Sequence, residues 1–366
     1  AHYVASTHWD REWYESFQGF RMRLVSLFDE LFQTFEKEPG YGTFTVDGQV
    51  IPVLDYLEIR PEMRDRVIEA VQAGKLKLGP WYVLPDEWLV SGESLVRNLQ
   101  FGMRLAGEFG TPSSRAGFAC DMFGHTGQLP QIFDQLGIPA AFVWRGILEK
   151  EYPGNFLWKA PDGTTILGYR FGKNGYSTYA GEVRQAFDQS KPFVLDEAVS
   201  RLITYIPEED ARSEAGPILL FDGGDHIEIE PRSPELFARA NERLRDKGIT
   251  VVHSDLDRYM ADLLKDRDKI SRTVTGELRE PLREAPDAHL IPGVLSSRIH
   301  LKQKNAACED ELCLWAEPFS AFAALELGRE YPEGYLRAAW KHLLENHPHD
   351  SICGCSIDQV HREMRH

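Results

Sequence analysis

The chain has 366 residues, of which 42% are hydrophobic and 27% charged, a balance typical of a soluble globular protein and not of a disordered chain. Lys and Arg number 41 against 57 Asp and Glu, and the net charge of −16 argues against nucleic acid or an anionic membrane as a partner. No apolar run approaches the roughly 20 residues of a membrane helix, and no signal-peptide pattern opens the sequence. We therefore expect a cytoplasmic protein with reduced cysteines, and leave homo-oligomerisation open.

The first two thirds of the chain alternate short apolar segments with amphipathic ones. Residues 17–35 are the clearest case, because their large apolar side chains recur at helical spacing. This rhythm predicts an α/β fold with a mostly parallel, incomplete barrel-like sheet and flanking helices. The predicted strands are residues 1–6, 42–46, 75–79, 115–120, 140–144 and 217–221, and the predicted helices are residues 17–35, 62–73, 93–109, 128–136 and 234–246.

The sequence pattern changes near residues 273–291, where Pro281 and Pro286 stand among charged residues. Beyond this junction the pattern predicts a small three-helix bundle, formed by residues 302–327, 335–346 and 356–365, with Gly328 as a helix stop. We therefore predict an α/β domain over residues 1–280 and a helical domain over residues 281–366.

A histidine and an aspartate two residues apart, His8 and Asp10, follow the first predicted strand. Side chains two apart at an extended strand end point to the same side, so the pair could ligate a metal through nitrogen and oxygen. A core histidine beside a turn-capping aspartate is an equally simple interpretation at this point. The aromatic Trp13, just downstream, is typical of a platform for a sugar ring.

Two further acidic clusters follow predicted strands. Asp121 comes directly after residues 115–120. Asp222 comes directly after residues 217–221, and two glycines separate it from Asp225. Carboxyl ends of parallel strands share one edge, where ligands bind, so these groups are expected to converge with His8. One aspartate of the third cluster would serve as a general acid/base, unless the segment is only a solvated turn.

A fourth cluster lies in the predicted bundle, where Pro348 ends a helix and His349 and Asp350 follow. His349 could complete a metal site across the domain interface. Cys353 and Cys355 suggest a thiolate site only weakly, because the spacing is CxC and no second pair exists.

Taken in order, these clusters resemble the retaining α-mannosidases of glycoside hydrolase family 38, in the form of their bacterial branch. The resemblance spans nearly the whole chain, and its motifs are long and come in family order. The matching stretches are residues 6–14 (STHWDREWY), 79–87 (GPWYVLPDE), 91–99 (SGESLVRNL), 117–118 with 121–125 (GF and DMFGH) and 349–354 (HDSICG).

The resemblance implies a site for one Zn²⁺ and a catalytic pair. Its implied zinc ligands are His8, Asp10, Asp121 and His349, with Asp121 also the nucleophile. Asp225 is its implied acid/base, with Asp222, three residues away, as the alternative. Its implied substrate-binding residues are Trp13, Arg145, Asp350 and Tyr176, with Asp86 and Glu87 near the pocket.

The activity that the resemblance implies is retaining, zinc-dependent hydrolysis of terminal α-linked mannose through a glycosyl-enzyme. The substrate would be an oligosaccharide or a small mannosyl conjugate. A metal-dependent carbohydrate deacetylase and a non-catalytic mannoside-binding fragment remain alternatives, the latter because the family's large C-terminal β domains would lie beyond residue 366.

Overall fold

A computed structural model of the chain describes residues 1–188, 190, 192–281 and 290–364. Ten strands are present in these residues, most of them short. They are β1 His2–Ser6, β2 Phe44–Thr45, β3 Leu76–Lys77, β4 Ala116–Ala119, β5 Ala140–Val143, β6 Asn155–Lys159, β7 Thr165–Arg170, β8 Leu219–Asp222, β9 Val252–His253 and β10 Thr273–Thr275.

The α-helices flank the strands and then make up the C-terminal region. They are α1 Phe17–Lys37, α2 Ile51–Ile59, α3 Arg64–Gln72, α4 Gly92–Gly107, α5 Leu129–Gln135, α6 Leu195–Asp210, α7 Ser233–Leu244, α8 Leu256–Lys265, α9 Ile299–Asp310, α10 Glu317–Leu327, α11 Glu333–Leu344, α12 His349–Ile352 and α13 Asp358–Glu363. The N-termini of α1 and α4 are capped by Ser16 and Ser91, whose hydroxyls accept a backbone N–H of the first turn.

The strands form two five-stranded sheets that are parallel except for the antiparallel pair β6–β7. In the first sheet the order is β3-β2-β1-β8. One edge of β1 pairs with β9 at its N-terminal end and with β2 at its C-terminal end. In the second the order is β10-β6-β7-β5-β4. The α/β, mostly parallel prediction is confirmed, with the strands divided between two sheets.

Strand β1 serves two cores because its side chains alternate. Tyr3 and Ala5 pack in the core under α1, whereas Val4 packs in the core shared with β4, β5 and β8. In that second core the Phe118 and Phe221 rings lie 5.4 Å apart. The two sheets are therefore joined through the interior, and the carboxyl ends of β1, β4 and β8 come close together.

The helical region packs against the segment between β3 and α4. Tyr82 and Val83 share a buried cluster with Trp340 and Leu344 of α11. The backbone carbonyl of Leu84 accepts the N–H of His349, at 3.1 Å. These contacts bring the start of α12 to the α/β domain.

Several details differ from the predicted elements. Residues 302–327 lie in one continuous helical run, as predicted, but its middle, Glu311–Ala316, is π-helical and joins α9 to α10. The short helix α12 is additional. The helix stop at Gly328 is present, with the residue at φ 62°. The domain boundary at residue 280 remains a prediction, since residues 282–289 lie outside those that the structure describes. None of the helices in the described part of the chain combines the length and apolarity of a membrane span.

Candidate active site

Three strand ends build one side of the site. His8 follows β1, Asp121 follows β4, and Asp225 follows β8 by a tight turn. The backbone joins the first and third directly: His8 N–H donates to the Gly224 carbonyl (2.7 Å), and the His8 carbonyl accepts the N–H of His226 (2.8 Å). The clusters therefore converge as expected, although not at the edge of a single sheet, because β1 and β8 belong to the first sheet and β4 to the second.

The four residues expected to be ligands lie around one point. The Nε2 of His8 lies 3.2 Å from an Asp10 oxygen and 3.8 Å from an Asp121 oxygen. The Nε2 of His349 lies 3.3 and 3.5 Å from oxygens of the same two carboxylates. The imidazole rings are stacked, with centroids 5.4 Å apart. Residues 341 positions apart in sequence therefore face the same space.

The donor set fits a divalent cation. Both Nε2 atoms are buried without a hydrogen-bond partner among the described residues. Such buried orphan atoms are costly unless something binds them. Two imidazole nitrogens with two carboxylates form a mixed set that suits zinc. The residues present therefore fit the metal that the sequence led us to expect.

The site also has an excess of negative charge. Asp10, Asp121 and Asp350 crowd around the imidazoles, with Arg145 as the guanidinium placed among them. Burial disfavours the charged form of His349, yet Asp350, Asp10 and Asp121 together raise its pKa well above the usual range. Burial and the neighbouring Asp10 carboxylate raise the pKa of Asp350 well above its usual range. The cluster therefore attracts positive charge.

Asp121 and Asp225 have opposite electrostatic environments. Burial opposes ionisation of Asp121, but Arg145, which donates to Oδ1 from Nη2 (2.7 Å) and Nε (3.1 Å), holds its pKa well below the usual range. Burial, together with the Asp121 and Asp10 carboxylates, raises the pKa of Asp225 to about 6. Asp225 is also exposed to solvent. One carboxylate is thus kept ionised and the other can hold a proton.

The alternative acid, Asp222, is engaged elsewhere. Its carboxylate is 1% exposed and accepts from Arg184 Nη1 (3.0 and 3.1 Å) and from the Tyr3 hydroxyl (2.6 Å). Tyr3 belongs to the core on the α1 side of β1, and Arg184 directly follows Val183 of the same core. Its contacts are those of a buried structural ion pair.

The remaining predicted residues lie at different distances from the cluster. The Tyr176 hydroxyl donates to Asp225 Oδ1 (2.8 Å), and its ring packs against His8 with centroids 4.9 Å apart. Asp350 accepts from the thiol of Cys355 (3.0 Å). Trp13 is half-buried, contacts Tyr14 with 5.0 Å between ring centroids, and packs against the core under α1, so its described ring contacts are with that core and not with the cluster.

Asp86 and Glu87 lie on the segment that carries the helical region. Asp86 N–H donates to the His347 carbonyl (3.2 Å), and burial raises the pKa of its carboxyl to about 6. Glu87 pairs with His125 Nδ1 at 2.7 Å and accepts the backbone N–H of Thr126 (2.9 Å). Glu87 therefore fixes the loop that follows Asp121.

Sequence reasoning missed Asp47, which directly contacts a candidate ligand. It lies just after β2, and its two oxygens are 3.0 and 3.1 Å from Nδ1 of His8. A signal was available, because an Asp-Gly pair follows the predicted strand 42–46 at the same sheet edge as the other clusters. Asp-Gly is also a common turn dipeptide, so the pattern by itself did not indicate a role.

Comparison with known protein families agrees with this geometry. Residues 1–277 match the glycosyl hydrolases family 38 N-terminal domain, and residues 289–366 match the alpha mannosidase middle domain. The chain belongs to glycoside hydrolase family 38.

Individual relatives support the same assignment. The chain is 35% identical to a putative mannosylglycerate hydrolase of Halalkalibacterium halodurans, over 100% of this chain and 40% of that protein. It is 24% identical to alpha-mannosidase G of Dictyostelium discoideum, over 99% of this chain and 31% of that protein. The crystal structure of an alpha-mannosidase from Enterococcus faecalis superposes with a TM-score of 0.88 at 35% identity, covering 100% of this chain and 40% of that one. The chain thus spans about 40% of the length of these bacterial relatives.

Proposed function

We propose that the protein is a retaining, zinc-dependent α-mannosidase. The observation that carries the proposal is the contrast between two aspartates in one site. Asp121 is paired with Arg145 inside the His–Asp cluster, whereas Asp225 lies beside the cluster, hydrogen-bonded to Tyr176. Double-displacement glycosidases need such a pair, one ionised nucleophile and one carboxyl that can donate a proton. The mannoside specificity rests on the names of the relatives.

In this proposal, zinc is held by His8, Asp10, Asp121 and His349. Bound there, it would supply positive charge and an anchor for the neighbouring cis hydroxyls of a mannose ring. Asp350, next to His349, is placed to accept a hydrogen bond from a sugar hydroxyl. Trp13 offers an apolar ring surface beside the site's first loop.

The chain's own residues then perform the two chemical steps. Asp121 attacks the anomeric carbon, and Arg145 keeps that carboxylate ionised and fixes its orientation. Asp225 donates its proton to the departing glycosidic oxygen, which leaves a mannosyl ester on Asp121. In the second step the Asp225 carboxylate removes a proton from water, which attacks the same carbon from the opposite face. Two inversions return the product to the α configuration.

The test combines stereochemistry, mutation and metal removal. NMR of early hydrolysis of an aryl α-mannoside should show α-mannose as the first product, and Asp121→Ala should abolish turnover. A chelator should inhibit the wild-type protein, with activity restored by added zinc. First release of β-mannose would refute retention, and full activity of Asp121→Ala would refute the nucleophile assignment. Release of acetate from acetylated sugars without glycosidic cleavage would favour a deacetylase.

The substrate itself is a further part of the proposal. The 35% identical relative is named for mannosylglycerate, a small anionic mannosyl conjugate, and this supports a small conjugate over a long oligomannose chain. A hydrolysis screen of mannosylglycerate against linkage-defined mannobioses on the zinc-loaded protein decides between them. Exclusive cleavage of the mannobioses would contradict the preference.

A further inference from the structure

The buried side of the His8 ring faces a carboxylate that the proposed chemistry does not use. Asp47 is fully buried, and both of its oxygens lie within hydrogen-bond distance of His8 Nδ1, at 3.0 and 3.1 Å. The same carboxylate accepts the backbone N–H of Trp9 (2.7 Å) and the side-chain amide of Gln49 (2.8 Å). Asp47 thus already serves as an acceptor for a backbone N–H and a side-chain amide.

This arrangement determines which nitrogen of His8 carries its proton. Carboxylate oxygens act as acceptors in such a pair, so the geometry favours Nδ1 as the N–H side of the ring. The other close neighbour of Nδ1, the Cys120 sulfur at 3.6 Å, is a weak partner. In the neutral ring the lone pair then sits on Nε2, the atom that faces Asp10 and Asp121.

The backbone around Asp47 adopts an unusual conformation. Asp47 has φ 45° and Gly48 has φ 64°, two successive residues in the left-handed region. A Cβ on Gly48 would lie 2.5 Å from the Cβ of Phe118, so only glycine fits there. Asp tolerates this region better than most residues, but the conformation and the buried charge both cost free energy. Features of this kind persist where the surrounding structure or a function requires them.

We propose that Asp47 is a positioning residue that fixes the His8 ring as a metal ligand, holding Nδ1–H and leaving the Nε2 lone pair directed into the cluster. The inference rests on the proposed zinc site. Carboxylate partners of this type orient ligating histidines and raise their basicity, and losing one typically costs 10–100-fold in metal affinity. A purely structural Asp47 would instead only anchor Trp9 and Gln49.

The variant Asp47→Asn separates these two roles. Its amide oxygen can still accept from Trp9 and Gln49, and Asn also tolerates the left-handed backbone. The side-chain NH₂ group of this variant, however, is a donor and would face Nδ1 of His8. It therefore favours the ring form in which Nδ1 has no proton and Nε2 carries one. That proton occupies the position from which His8 would bind the metal.

The measurement is the zinc dissociation constant from chelator competition, made on wild type, Asp47→Asn and the control Asp255→Asn. Asp255 is equally buried and also accepts a backbone N–H, from Arg258 at 2.9 Å, but it caps α8. We expect zinc affinity to fall about 10–100-fold in Asp47→Asn and to stay unchanged in Asp255→Asn.

A second measurement needs no variant. In zinc-loaded wild type labelled with ¹⁵N-histidine, His8 should show a protected Nδ1–H and no proton on Nε2. A proton on Nε2 with a bare Nδ1 would overturn the inference even if Asp47→Asn fails to fold. Equal zinc affinity in wild type and Asp47→Asn would overturn it as well, while the proposed function stood. Failure of wild type to bind zinc would overturn both.

Discussion

Replacing a carboxylate by an amide should have different effects at the two aspartates at the end of β8. At Asp222 it should lower stability, and at Asp225 it should lower activity. Among the described residues, Asp222 is the side chain to which the Arg184 guanidinium hydrogen-bonds, and the guanidinium otherwise donates to the Glu228 carbonyl (2.8 Å). Glu230 adds a weaker electrostatic attraction. The Arg184 side chain is 9% exposed. In Asp222→Asn the Tyr3 hydroxyl keeps an acceptor, but the buried guanidinium loses its counter-ion.

The expected loss of stability follows from that geometry. Breaking a buried ion pair by removing one partner costs about 3–5 kcal/mol, and the retained amide oxygen places Asp222→Asn near the lower end, about 3 kcal/mol. For a large domain each kcal/mol lowers Tm by about 2–4 °C, so Tm should fall by about 6–12 °C. Activity of the folded protein should change little, because Asp222 contacts neither the His–Asp cluster nor Asp225 through its carboxylate.

Asp225→Asn should show the reverse. It removes a solvent-accessible carboxyl whose described hydrogen bond, from Tyr176, an amide oxygen can also accept, so Tm should stay near the wild-type value. General acid catalysis contributes about 10²–10⁴ in rate, and kcat should fall by that amount on a mannoside with a poor leaving group. A dinitrophenyl mannoside, which leaves without protonation, should lose much less in its first step.

Thermal unfolding and hydrolysis of both mannosides on both variants make the assay. The reasoning is wrong if Asp222→Asn loses activity at unchanged Tm while Asp225→Asn keeps wild-type kcat on the poor leaving group. Equal losses of kcat/KM, which reports the first step only, on the two mannosides for Asp225→Asn would contradict an acid role as well.

Two further predictions concern stability. Both ring nitrogens of the half-buried His253 hydrogen-bond to backbone, and burial lowers its pKa to about 4. Below about pH 6.5 the unfolded chain binds a proton at His253 that the folded chain does not. The free energy of unfolding should therefore fall by at most about 3 kcal/mol as the pH drops from about 6.5 to about 4. In His253→Asn the urea midpoint should depend less on pH over this range. The second prediction compares two glycines of α4 by urea unfolding. Gly102→Ala would put a Cβ 2.2 Å from the Pro80 carbonyl oxygen and should destabilise the protein by more than about 1–3 kcal/mol. A Cβ at Gly107 meets nothing within 4 Å, so Gly107→Ala should stabilise the protein by up to about 1 kcal/mol. Equal midpoints for the two glycine variants, or a parallel pH dependence for His253→Asn, would refute these arguments.

Local sequence pattern was enough for much of the α/β region. Helix α1 was predicted to within two residues because its apolar stripe is a local feature. Helix α6 and the antiparallel pair β6–β7 had no assignment. Pro207 lies inside α6, which weakens the helical pattern, and the pairing of β6 with β7 and β10 is a long-range contact that propensity does not encode.

The candidate site was likewise predictable in part from the sequence and decided in part by the tertiary structure. The sequence by itself determined which residues could carry the chemistry, since His8, Asp10, Asp121 and His349 belong to motifs readable along the chain. Tertiary structure alone decided which atoms meet. It placed His349 opposite His8 through the contact of α12 with Leu84, turned Asp222 towards Arg184, and put Asp47 behind the His8 ring. Hydrogen-bond partners and burial arise from elements far apart in sequence, and spacing along one chain does not specify which of them will touch.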